Sequence, residues 1–145
     1  MMVIRTTKSL NKRIYFINKG IRIEKLKTGD YVMFSLLKSK QENDLPAKLI
    51  KMIEDDGKEL QIKRIGCSAG EEVKNVGNDY FCKSQLIAIA KDYSLGGERL
   101  KKFEFSGKIP KDDMFLVGDH IDSYDSRYFG FIKAKDIIAM VYPLL

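Results

Sequence analysis

Between Phe115 and Gly130 an apolar run, Phe-Leu-Val, gives way to Gly-Asp-His-Ile-Asp-Ser-Tyr-Asp-Ser-Arg-Tyr-Phe-Gly, which crowds aspartates, serines, a histidine and an arginine into one turn. Side chains this polar need one another or water. The plain reading is a solvated loop in which Asp125 and Arg127 make a surface ion pair. The same stretch also offers the parts of a Ser-His-Asp triad, with Asp119 or Asp122 orienting His120. Residues adjacent in a turn seldom point along a shared line, so His120 reads better as a polar turn residue. Two cysteines, Cys67 and Cys82, would close a hairpin-sized loop containing Gly70, Gly77 and Asn78. In an oxidising compartment such a bridge stabilises by about 3 kcal/mol; otherwise they are two separate buried thiols. With one histidine and no Cys-x-x-Cys pair, no metal is expected. Gly96-Gly97 lacks the lysine and hydroxyl of a phosphate-binding loop, so no cofactor is expected either.

Gly118-Asp119, Ser123 and Asp125-Ser126-Arg127-Tyr128-Phe129-Gly130 resemble the C-terminal signature of the signal peptidase I family, a Gly-Asp-Asn turn followed by Ser-x-Asp-Ser-Arg-aromatic-aromatic-Gly. Further elements follow in the family's order. Gly29-Asp30-Tyr31-Val32 resembles its Gly-Asp turn before a strand, and Ile62-Lys63-Arg64-Ile65-Gly66 its lysine strand. Ser106-Gly107-Lys108-Ile109-Pro110 resembles the approach to the last box. Near the start, Thr7-Lys8-Ser9-Leu10-Asn11-Lys12-Arg13-Ile14-Tyr15 is similar to the nucleophile box of the TraF-type, pilin-processing branch, Thr-x-Ser-Leu-Pro-x-Gly-hydrophobic-Tyr, with Asn11 and Arg13 where Pro and Gly are usual.

The resemblance implies a Ser9 and Lys63 dyad. A serine hydroxyl is a poor nucleophile until a base takes its proton, and lysine does so only as the neutral amine. Its pKa must therefore fall from about 10.4 toward roughly 7 to 8, which takes apolar walls and a nearby cation. Leu60, Ile62 and Ile65 are the candidate walls and Arg64 the candidate cation. Alternation alone sets Lys63 with Gln61 and Ile65 on one face and Arg64 with Leu60 and Ile62 on the other, so it buries Arg64 at least as readily; the choice of Lys63 comes from the resemblance. By the same resemblance Thr7 and the Ser9 backbone N–H form the oxyanion hole, Ser123 orients the Lys63 amine, and Asp125 with Arg127 is a structural ion pair.

These residues need a scaffold, and the pattern is mostly β. Segments rich in β-branched and aromatic residues run over Arg13 to Asn18, Tyr31 to Leu37, Leu60 to Ile65, Tyr80 to Ala90, Met114 to Val117 and Ile137 to Tyr142, separated by Gly, Asn and Asp turns. Asn43 to Glu54 has the apolar spacing of a helix. At 145 residues one domain is expected. The family resemblance makes it a single catalytic domain of antiparallel sheets with one or two short helices, residues 74–108 being a small β insertion between the lysine strand and the last box.

The net charge of +6, from 26 basic and 20 acidic residues, permits contact with anionic partners without choosing one. Basic and acidic residues are interleaved, so no nucleic-acid partner is expected. No run approaches the about 18 apolar residues of a membrane span, and Met1 to Thr7 lacks a signal-peptide core. The Met1-Met2 start suits a chain that continues upstream. The resemblance implies a pilin precursor or a preprotein as substrate for conjugative type IV secretion. It also implies the periplasmic side of the bacterial inner membrane, and an N-terminal anchor missing from this sequence. Three other readings remain: a general signal peptidase I, a self-cleaving repressor-type Ser/Lys protein of the cytoplasm, and a non-catalytic basic binding module.

Overall fold

The computed structural model describes residues 2–5, 14–18, 25–35 and 60–143. Eleven strands fall within them: β1 Met2–Arg5, β2 Ile14–Asn18, β3 Tyr31–Ser35, β4 Leu60–Cys67, β5 Glu72–Val76, β6 Asp79–Cys82, β7 Gln85–Ile89, β8 Ser106–Lys108, β9 Asp113–Val117, β10 Ile132–Lys133 and β11 Ile137–Pro143. One helical turn, α1 Ser126–Phe129, and a 3-10 turn, Ala134–Asp136, complete them. Every strand pairing is antiparallel. The larger sheet has the order β1-β2-β11-β3-β4-β9-β10, and the smaller one β7-β6-β5-β8. The architecture is mostly β, as expected. The smaller sheet spans Glu72–Lys108.

Two strands bind the layers together. In β9 all five residues are buried, and the two-residue period sends Met114 and Leu116 into one core and Phe115 and Val117 into another. The first core holds Val32, Phe34, Ile65 and Ala134; the second, between the sheets, holds Val73, Tyr80, Ile109 and both cysteines. In β4 the register against β9 slips between Ile65 and Cys67, a bulge that turns Ile65 to the first core and Cys67 to the second. Gly66 lies at this slip, where a larger residue would be tightly packed. A Cβ there would stand 3.1 and 3.2 Å from the Val117 methyls and 3.3 Å from Ile87 Cδ1 of β7.

The sequence reading differs at several elements. Tyr80 to Ala90 is two strands, since Lys83 and Ser84 both take positive φ, 50° and 69°, and turn the chain in two residues. That backbone twist suits a tight hairpin even though neither residue is a glycine. Strands β5, β8 and β10 lack enough apolar length to stand out, β1 is not among the anticipated segments although Met1 to Ile4 is apolar, and α1 lies inside the stretch read as a loop. The anticipated helix at Asn43 to Glu54 falls outside the described residues. Among the described residues no helix is long and apolar enough to cross a membrane.

Candidate active site

Lys63 sits mid-strand in β4, opposite Val32 of β3, so it shares a face with Val32 and Ile65. It is 1% exposed. Its Nζ donates to Ser123 Oγ at 2.8 Å across 60 residues of sequence. Burial lowers the ammonium from its ordinary 10.5 to about 8; Asp125 opposes this, Arg127 reinforces it, and Asp119 opposes it. The lysine is thus the fully buried member of the Lys-Arg pair. Arg64 turns to the opposite face beside Tyr31, where its Nε meets Asp119 Oδ1 at 3.1 Å. The cation that reinforces the lowering is Arg127 and not Arg64, and Ile62 lies on the far face from the lysine.

Ser123 is held by a buried network. The chain leaves β9 at Gly118, turns through 119–124 and enters α1, where Asp125 caps the helical turn by accepting the Arg127 N–H at 3.1 Å. Asp125 also accepts the Gly118 N–H at 2.7 Å. The Arg127 guanidinium grips it at both oxygens, Nε to Oδ1 at 2.8 Å and NH2 to Oδ2 at 2.6 Å. NH1 donates to the Ile89 carbonyl at 2.7 Å, and NH2 to those of His120 at 3.2 Å and Ser123 at 3.3 Å. Asp125 and Arg127 are 0% and 2% exposed, so the surface ion pair expected from composition is an interior one. Burying two charges is costly unless their remaining donors and acceptors are met, and here backbone groups meet them. Ser126 Oγ accepts the Leu116 N–H at 2.8 Å, which pins α1 to β9. Gly130, at φ 86°, ends the turn against the Phe103 ring.

The remaining candidates divide. Thr7 and Ser9 lie in sequence between β1 and β2, outside the described residues. Cys67 and Cys82 are bonded to each other, with their Cα atoms 5.6 Å apart, so β4 is tied covalently to β6. Glu71 lies with them, yet both sulfurs are already spent in the bond. His120 is an exposed turn residue whose Nδ1 accepts the Asp122 N–H at 3.0 Å. Asp122 is held by Lys91. A cleft of about 620 Å³ opens on the Arg64 face, lined by Tyr31, Arg64, Leu86, Ile89, Asp119 and Ile121. What the sequence reading missed is the small sheet's hold on this loop. The Ile89 carbonyl and the Tyr80 hydroxyl both reach Arg127, and no motif in the sequence signals either contact.

Such a site suits proton abstraction by a neutral amine, since it combines a desolvated lysine, a fixed hydroxyl partner and a buried ion pair beneath the loop. Over 91 residues, 55% of this chain and 54% of the relative, the sequence is 31% identical to signal peptidase I V of Bacillus subtilis (strain 168). The chain therefore spans about half the length of that curated relative. A crystal structure of a signal peptidase I from Enterococcus faecalis V583 aligns with 79% of this chain and 95% of its own, at 19% identity and a TM-score of 0.45. The family model described as signal peptidase, peptidase S26, matches residues 4–144, a span that takes in Lys63, Ser123 and the Asp125–Arg127 pair. By that match the chain belongs to the signal peptidase S26 family.

Proposed function

We propose that this chain is the catalytic part of a serine endopeptidase in which Lys63 is the general base and Ser9 the nucleophile. The observation that carries the reading is Lys63 itself, 1% exposed, lowered to about 8 and donating to Ser123 Oγ at 2.8 Å. With a midpoint near 8, about one molecule in ten holds the neutral amine at pH 7. Lys63 takes the Ser9 proton as the hydroxyl oxygen attacks the scissile carbonyl, the oxyanion is received by the Ser9 N–H and the Thr7 hydroxyl, and the lysinium returns a proton to the leaving amine. Ser123 keeps the amine aimed. The substrate enters as an extended strand along a sheet edge.

The substrate is a precursor carrying an N-terminal targeting segment, met on the outer side of a membrane. The Thr7-Lys8-Ser9-Leu10 box supports a pilin precursor of a conjugative type IV secretion system. The match to the Bacillus enzyme supports general preproteins equally. Co-expression of the full-length protein with each precursor, read as a mass shift, separates the two. Wild type is expected to shorten its substrate, while Ser9→Ala and Lys63→Ala leave it intact with folding unchanged. Cleavage by Ser9→Ala removes Ser9 from the role, and a wild type that cleaves neither precursor returns the chain to a binding module.

A further inference from the structure

Arg127 is held at both ends by the small sheet and the segment that follows it. Its carbonyl accepts the Tyr80 hydroxyl at 3.0 Å and the Phe103 N–H at 2.8 Å. Its guanidinium donates to the Ile89 carbonyl at 2.7 Å. One residue on, the Tyr128 hydroxyl accepts the Lys91 N–H at 2.9 Å. The same guanidinium reaches the Ser123 carbonyl, and Ser123 Oγ receives Lys63. A chain of contacts therefore runs from β6 to the lysine. Tyr80 is its least replaceable link. The side chain is 1% exposed, its ring stacks on Phe115 of β9 at 5.4 Å, and its one hydroxyl hydrogen faces two carbonyls, those of Phe103 at 2.7 Å and Arg127. Burial pushes the phenol up to about 12, so it remains a donor wherever the enzyme works.

We propose that Tyr80 is a positioning residue for the Lys63–Ser123 pair, acting through Arg127, so that the small sheet is part of the device that aims the lysine. This rests on the reading of Lys63 as general base. Without the hydroxyl, the Phe103 carbonyl is left without that donor and the Arg127 carbonyl keeps only the Phe103 N–H; buried carbonyls relax toward water when a donor is lost. The Arg127 backbone moves with them, Ser123 follows, and water reaches Lys63. Three charged groups act on Lys63: Asp125, which caps α1, Arg127 within it, and Asp119 in the turn after β9. Each is carried by the loop that Tyr80 steadies.

The test reads Lys63 directly, by titrating protein whose lysines carry a carbon-13 label at Cε, with Lys63→Met identifying the resonance. Wild type is expected to titrate near 8. Tyr80→Phe, which keeps the ring, should raise the midpoint by about one unit, a tenfold gain in proton affinity. Tyr93→Phe, on an exposed loop, should match wild type. Against a cleaved precursor, Tyr80→Phe should lower kcat about tenfold at pH 7, leave KM unchanged and shift the acid limb of the pH profile by the same unit. A Tyr80→Phe protein that melts earlier while Lys63 titrates as in wild type overturns the proposal, since packing alone would explain it. If Tyr80→Phe does not fold, Tyr128→Phe takes its place: a raised Lys63 midpoint supports the proposal and an unchanged one overturns it. Because the titration needs no cleavage, a lowered Lys63 in a protein that cleaves nothing would count against the peptidase reading alone.

Discussion

At pH 7 a lysine with its midpoint near 8 is mostly charged, and folding has carried that charge out of water. Between about 8 and 10.5 the unfolded chain binds more protons than the folded one, so this group's contribution to stability rises with pH across that window. The burden below it amounts to about 3 kcal/mol. Lys63→Met should therefore stabilise the protein by about 1 to 3 kcal/mol at pH 7 while abolishing cleavage. Urea melts of both proteins at several pH values check this, and a gain that does not shrink between pH 8 and 10.5 would refute it. Asp125→Asn should act in the opposite sense, costing about 3 to 5 kcal/mol in the same melts, because it strands the buried Arg127 guanidinium. At this scale the sequence was legible through motif and not through pattern. Alternation did not choose between Lys63 and Arg64, and the error over the nearby cation has a physical source. Arg127 is 64 positions away in sequence, and only the fold brings its charge to the lysine.

Among the elements, β4 and β9 do the positioning, and their shared irregularity is a single glycine. Gly66→Ala would push a methyl to within 3.1 to 3.3 Å of Val117 and Ile87, tighter than side chains ordinarily pack. We expect a loss of about 1 to 3 kcal/mol in thermal melts, with the hairpin of β6 and β7 the first part to lose amide protection in hydrogen exchange. Protection lost first in β3 would contradict that order. The segments that were legible are those with a continuous apolar stretch, such as β3 and β9, whose two buried faces leave little room for polar residues. The β6–β7 turn was not, because Lys83 and Ser84 adopt a conformation usually signalled by glycine or asparagine. Nor was α1 legible, since its four residues, Ser126–Phe129, are too few to show a helical period.

For the molecule as a whole, the two sheets share one interior. Phe115 and Val117 of the large sheet pack with Tyr80, Val73 and Ile109, and the Cys67–Cys82 bond crosses the same seam. Calorimetry should then show one cooperative transition, and two resolved transitions would mean that the small sheet folds alone. Replacing both cysteines by alanine should lower stability by about 3 kcal/mol without splitting that transition. The strand order carries a further consequence. Among the described strands, the β1–β2 hairpin, which flanks Ser9 in sequence, joins the strands that bear Lys63 through β11, which lies between β2 and β3. Of the eleven strands, β11 is the last to leave the ribosome. Until β11 has emerged, a nascent chain therefore lacks the strand that joins the hairpin to β3 and β4, and the residues proposed as nucleophile and base sit on separate pieces.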